Sequence, residues 1–259
     1  MQQPASISDN GNTKLGPLIS AWSIPAGIKW SCPGESKLCR DRCYAKRGFY
    51  NMNNVAESLR RNFVFSQTTD FVDWMVLQLT ARMARVVRIH VSGDFYSAEY
   101  TDKWQAITSR LPRCHFFAYT RSWREEAIFP SLVRLGQESN VSLWWSIDRE
   151  TGPAPTIRGI RRAYMAIDDI DASLAPDDCD LVFRDDGHTV MKRANGVQVC
   201  PYENGVKTQV KMTCSRCGIC WHDKLPRWEH ARGPTTDSAE VAVSGNELGI
   251  VAPEKIITL

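Results

Sequence analysis

Little in these 259 residues points out of the cell interior. The N-terminal stretch MQQPASISDNGNTKLG has neither the basic start nor the apolar run of a secretory signal, and no apolar stretch approaches the roughly 20 residues a membrane helix needs. Both absences argue for a cytoplasmic protein with no membrane partner. Charge of one sign is scarce as well: 32 Lys plus Arg stand against 29 Asp plus Glu, and a formal charge of +3 is too mild to demand nucleic acid as a partner. No internal repeat and no low-complexity tract occur, which sets aside solenoid and repeat architectures.

With 43% hydrophobic and 24% charged residues, the chain can bury a full core, as one large α/β domain or one domain with an appendage. It also carries nine cysteines. In a reducing compartment an odd number of cysteines at short spacings argues for metal rather than a disulfide framework.

Residues 1–15 read as a flexible arm. GPLISAWSIP is a first strand, stopped by Pro25. Helical spacing of Val55, Leu59 and Phe63, then of Phe71, Trp74, Met75, Leu79 and Met83, predicts helices over 54–67 and 70–85, with Asp70 as N-cap. VVRIHV, HFFAYT and VSLWWSI are further strands, with helices expected over 98–111 and 124–135. RRAYMAID and DLVFRD are weaker strand candidates on either side of an acidic linker, and GVQVCPYE allows one more. Strands separated by helical crossovers imply a parallel sheet, and we expect a partial or full TIM-type (β/α) barrel over 16–195. A cysteine-rich extension and an irregular tail should fill 196–259. The strand exits then share one rim, with Trp22, Asp94, Tyr119, Arg121, Ser146, Asp148 and Arg149 on it.

The cysteines fall into two groups. Cys200, Cys214, Cys217 and Cys220 include a Cys-x2-Cys-x2-Cys run, the ferredoxin pattern in which successive thiolates take separate irons of one cubane. Tetrahedral zinc usually draws two x2 knuckles from separate loops and fits less well, though it stays an alternative. Cys32, Cys39 and Cys43 offer three thiols in the loop after the first strand, at x6 and x3 spacing. Such a set can hold a cluster with one iron open, a cluster completed by another residue type, or zinc completed by His or Asp. Cys114 and Cys179 have no spaced partner and read as small buried apolar residues.

A three-cysteine loop after the first strand, with Tyr44 directly following its last cysteine, resembles the cluster loop of radical S-adenosylmethionine enzymes. HVSGDF is similar to the Gly-Gly-Glu motif of that family and VSLWWSIDRE to its Ser-x-Asp segment, while the four C-terminal cysteines look like an auxiliary cluster. The spacing departs from the family's x3 and x2, and Gly-Asp replaces Gly-Gly-Glu. At closer range the cysteine layout and CYAKRG resemble the gene product 88 family of phage and plasmid proteins, a likeness that brings no activity with it. The wider resemblance implies two 4Fe-4S clusters and bound S-adenosylmethionine. It further implies that Gly93 and Asp94 hold the methionyl ammonium, that Arg121 or Arg149 pairs with the carboxylate, and that Ser146 and Asp148 line the cofactor site. An electron donor would then be needed, and the substrate could be a nucleic acid or a peptide drawn to the basic stretches RGIRR, Arg60-Arg61 and CRDRCYAKR. The alternative is an iron-sulfur or zinc protein without turnover that senses redox state.

Overall fold

The computed structural model describes residues 5–8, 13–207 and 212–222. Six strands form one sheet: β1 (Ile19–Trp22), β2 (Val86–Ile89), β3 (His115–Thr120), β4 (Val141–Ile147), β5 (Arg161–Ala166) and β6 (Leu181–Arg184). They lie side by side in chain order. Every neighbouring pair is parallel.

That order has a physical consequence. A right-handed crossover between adjacent parallel strands always turns to the same side, so all crossover helices pile onto one face. These are α2 (Asn53–Ser66) and α3 (Phe71–Ala81) before β2, α4 (Ala98–Arg110), α5 (Phe129–Gly136) and the short α6 (Asp169–Ser173). A still shorter helix, α1 (Lys37–Arg42), precedes them inside the three-cysteine loop. On the helical face Trp22, Val87, Ile89, Phe116, Ala118, Leu143, Trp145 and Val182 pack with Phe71, Met75, Trp104, Ile107 and Leu132 into the main core. The alternate residues Ile19, Ala21, Val86, Phe117, Trp144, Ala163 and Leu181 form a second core on the opposite face.

The second face has no crossover helix, and a sheet this apolar needs cover on both sides. The C-terminal cysteine segment supplies it, with Cys214, Cys220, Ile219 and Trp221 packed on that core. Trp144 Nε1 donates to the Cys220 carbonyl at 2.9 Å, and Arg161 Nη1 donates to the Ile219 carbonyl at 2.9 Å while its guanidinium stacks on Trp144. Part of this segment is a one-turn helix, α7 (Cys214–Cys217), closed by Gly218 at φ +75°.

The expected α/β class with a parallel sheet is what forms. A full, closed barrel is not: among the described residues the outer edge of β1 bridges Ser8 and that of β6 bridges Val199, and no β6 to β1 pairing closes the sheet. Covering both edges removes the open pairing templates. A two-stranded ribbon, β7 (Arg193–Ala194) with β8 (Val197–Gln198), leads into the second cysteine group. Of the expected arm, Ile7 is packed in the main core and Leu15 in the second, while residues 1–4 and 9–12 lie outside the described residues. The tail expected beyond His230 lies outside them too.

Several boundaries differ from expectation for local reasons. α3 stops at Ala81, because Met83 takes a left-handed φ of +50° and Ala84 N–H returns to the Leu79 carbonyl. α5 starts at Phe129 rather than 124, since Pro130 would clash with the carbonyl four residues back anywhere but in a first turn. α6 hides in the acidic linker, where Asp168 accepts from Asp171 N–H at 2.8 Å as its N-cap. No helix among the described residues is long and apolar enough to cross a membrane.

Candidate metal centres

Parallel strands bring their C-terminal ends to one edge, and the loop carrying Cys32, Cys39 and Cys43 folds back over that edge. Ser31 Oγ donates to the Pro25 carbonyl at 2.5 Å and accepts from Asp94 N–H at 3.3 Å, tying the loop to the exit of β2. Ser36 is the N-cap of α1, accepting from Cys39 N–H at 2.9 Å, and its hydroxyl donates to Asp148 Oδ2 at 2.6 Å. Leu38 N–H donates to Glu150 at 2.7 Å, and Arg124 Nη1 to the Gly34 carbonyl at 3.0 Å. The x3 spacing of Cys39 and Cys43 spans one turn, so both thiols are presented on the same side of α1.

Two glycines are needed for this approach. A Cβ on Gly93, at φ +89°, would stand 2.4 Å from Ile24 Cγ1 and 2.7 Å from Ser31 Oγ. On Gly34 it would stand 2.1 Å from the Arg121 carbonyl oxygen. Contacts that short cannot be accommodated without moving backbone.

The rim residues divide. Asp94 is buried, and its carboxylate accepts Phe95 N–H at 2.7 Å and Arg121 N–H at 2.8 Å, joining the exits of β2 and β3. It does not cap α4; Ser97 does, accepting from Tyr100 N–H. Burial raises the Asp94 pKa to about 6, opposed by its hydrogen bonds to Thr120 and the two backbone N–H groups. Arg121 is buried beside Cys39 and donates through Nη2 to Asp148 at 3.1 Å, while among the described residues its Nε meets no partner. Asp148 also accepts Glu150 and Thr151 N–H groups. Gly93, Asp94, Arg121 and Asp148 therefore meet the cysteine loop. Ser146 and Arg149 do not: no hydrogen bond among the described residues joins either to it. The Ser146 carbonyl accepts from Trp123 Nε1, and Arg149 is exposed and lines a neighbouring cleft with Tyr164 and Arg162. Trp22, expected at the rim, is sealed in the helical-face core, where its Nε1 donates to Tyr100. Sequence reasoning missed Ser36 and Glu150. The Ser-Lys-Leu-Cys start of α1 was the available signal for the first; nothing local signalled the second.

Among the described residues Cys32, Cys39, Cys43, Cys114, Cys200, Cys214, Cys217 and Cys220 form no disulfide. Cys114 and Cys179 sit in the main core, away from both groups. Cys39 lies close enough to Cys32 to oppose its ionisation, Cys43 acts in the same way on Cys39, and Cys32 Sγ accepts from Gly27 N–H at 3.2 Å. Burial pushes Cys32 up to about 12 and raises Cys39.

Cys200, Cys214, Cys217 and Cys220 line one small cleft of about 300 Å³ including its mouth, walled by Leu181, Pro201, Tyr202 and Ile219. Burial raises all four thiols, Cys220 to about 12. Without a compensating cation such thiols stay protonated, whereas a coordinated thiol is deprotonated outright. Among the described residues no three His, Cys, Asp or Glu side chains converge as one ion requires. A cubane takes each thiolate on a different iron and so spaces them more widely than a single ion does. Four soft thiols lining one cleft are a donor set that an iron-sulfur cluster or zinc could use.

The family profile described as Gene product 88 matches residues 3–223. The chain is 24% identical over 231 residues to the Gene 88 protein of Mycobacterium phage L5, covering 83% of this chain and 87% of the relative. It is 27% identical over 174 residues to the Gene 88 protein of Mycobacterium phage D29, covering 61% of this chain and 70% of that one. No solved structure matches the chain. With the match spanning both cysteine groups and the whole sheet, the chain belongs to the gene product 88 family.

Proposed function

We propose that this chain is an iron-sulfur protein with two 4Fe-4S clusters, acting as a radical S-adenosylmethionine-like enzyme, and that its sheet is the inner wall of a partial (β/α) barrel. The observation that carries the proposal is the seating of a three-thiol loop against Gly93, Asp94, Arg121 and Asp148 at the C-terminal ends of parallel strands, where cofactor sites of α/β proteins lie.

Each side chain then has a task. Cys32, Cys39 and Cys43 bind three irons, and Cys200, Cys214, Cys217 and Cys220 bind the other cluster. The Asp94 carboxylate locks the β2 and β3 exits together, and its remaining lone pairs would be available to a methionyl ammonium. The unpartnered Nε of Arg121 offers a charge-assisted donor to a carboxylate. Tyr44, whose hydroxyl donates to the Val91 carbonyl, ties the cysteine loop to the exit of β2. When bound, the reduced cluster and S-adenosylmethionine supply a homolytic cleavage of the sulfonium bond, which is the cofactor's own chemistry.

A second reading is an iron-sulfur protein without turnover. It is favoured by the internal satisfaction of Asp94, whose oxygens already accept backbone N–H groups, and of Arg121, already paired with Asp148. Anaerobically purified chain should be brown and hold about eight irons with matching sulfide. Colourless protein with stoichiometric zinc would sink both readings. Reduction in the presence of S-adenosylmethionine should then release 5′-deoxyadenosine. A brown protein that gives none, and whose spectrum ignores the cofactor, is the outcome of the non-catalytic reading.

A further inference from the structure

Positive charge is not spread evenly over this chain. From Lys29 to Arg61 eight Lys and Arg stand against Glu35, Asp41 and Glu57, an excess of five, while the whole chain has an excess of three. The rest of the chain is therefore net acidic. Within the stretch Lys37 pairs with Asp41, Arg40 with Glu35 and Arg42 with Asp185, which leaves Lys29, Lys46, Arg47, Arg60 and Arg61 without a paired carboxylate among the described residues. The fold gathers them on one surface. Phe49, Tyr50, Glu57, Arg60 and Arg61 line a cleft of about 1650 Å³ beside α2, and the buried Arg61 Nε meets no partner among the described residues. Tyr44 meets Tyr50 edge-on at 6.0 Å, and Trp30 meets Phe63 of α2 at 5.8 Å. Lys46 reaches over Gly27, where a Cβ would stand 3.6 Å from its Nζ, and Trp30 N–H donates to the Gly27 carbonyl in the same turn. Phe49 is 81% exposed, and Trp30 and Tyr44 also present ring surface to solvent.

The cleft exceeds the roughly 300–1,000 Å³ of a small-molecule pocket. Unpaired cations interleaved with open aromatic rings match a polymer that alternates phosphates with flat bases. An acidic peptide would answer the cations and leave the rings bare, and a duplex keeps its bases stacked on one another, out of reach of the rings. We infer that this surface binds single-stranded nucleic acid, with Lys29, Lys46, Arg47, Arg60 and Arg61 on phosphates and Trp30, Tyr44 and Phe49 as stacking platforms. The inference goes beyond the cluster chemistry proposed above and does not depend on it.

The test is fluorescence anisotropy on the full chain as purified, with labelled oligo-deoxythymidine and oligo-uridine of about 15 nucleotides as probes and iron measured on the same samples. Affinity should fall with salt at a log–log slope of about −3.5, as five neutralised phosphates require. Lys46→Gln and Arg60→Gln should each weaken binding and each reduce that slope by about 0.7. Phe49→Ala should weaken binding about tenfold and leave the slope unchanged. Glu57→Gln, which removes the acid of the cleft, should tighten binding, and Arg113→Gln, on the turn before β3 at the other end of the strands, should change nothing. All the substituted side chains are exposed, so loss of fold does not stand in for loss of binding. Tighter binding of uridine assigns RNA as the source of the strand, and tighter binding of thymidine assigns DNA. Labelled polyglutamate binding as well as either probe, with Phe49→Ala equal to the parent, makes this a general polyanion surface and overturns the inference. Failure of both probes to bind at low salt overturns it too, as does binding unmoved by Lys46→Gln and Arg60→Gln. Absence of iron overturns the cluster proposal alone, since binding is read by its own signal.

Discussion

His90 is held in a left-handed conformation at φ +64° just past β2, with its Nε2 and the Tyr100 hydroxyl 2.8 Å apart and aromatic rings around it. Burial, helped by Arg88, pushes its pKa down to about 3. The unfolded chain binds a proton there near pH 6.5 and the folded chain does not, so stability present above pH 6.5 is lost as pH falls toward 3. At about 1.4 kcal/mol per unit the loss amounts to a few kcal/mol. His90→Asn, which tolerates the left-handed backbone, should flatten the acid limb of stability against pH in urea melts. At Gly34 the test is steric. Gly34→Ala must push the loop off the Arg121 carbonyl, and we expect about 1–3 kcal/mol of destabilisation together with lowered iron at the three-cysteine site.

At the scale of elements, α1 is six residues long and cannot be stable alone. Its cap and the Ser36–Asp148–Arg121 chain make it part of the sheet edge. Ser36→Ala should cost about 1 kcal/mol through the lost cap and speed loss of iron from the N-terminal site to a chelator, with the C-terminal site unaffected. Asp148→Ala should cost about 3–5 kcal/mol, since it strands the buried Arg121 guanidinium without the carboxylate that pairs with it. The longer helices of this layer were legible because Phe71, Met75 and Leu79 in one, and Tyr100, Trp104 and Ile107 in the next, recur at helical spacing. α1 and α6 were not, because a helix of one turn and a half leaves no period to read and is held by contacts from distant strands.

For the whole molecule, the C-terminal cysteine segment is the proposed second cluster site as well as the cover of a sheet face. Cys200→Ser should therefore lose about four of eight irons and also lower the melting temperature, because Leu181, Phe117 and Trp144 lose part of their cover. Cys32→Ser should lose the other four with a smaller thermal effect, as its loop covers only the sheet edge. Equal thermal effects would refute this division of roles.

Local pattern alone determined the parallel α/β class, the two cysteine groups and the convergence of Gly93, Asp94, Arg121 and Asp148 on one rim. Strand periodicity and right-handed crossovers require these from the residues themselves. Only the tertiary structure decided that six strands keep chain order and leave one face without crossover helices, that the C-terminal cysteines fill that face, and that Arg88 stacks there on Phe117 and Tyr119. Each is a matter of which distant surfaces bury one another, and alternation along β2 marks Arg88 as facing away from the helices without naming what it faces.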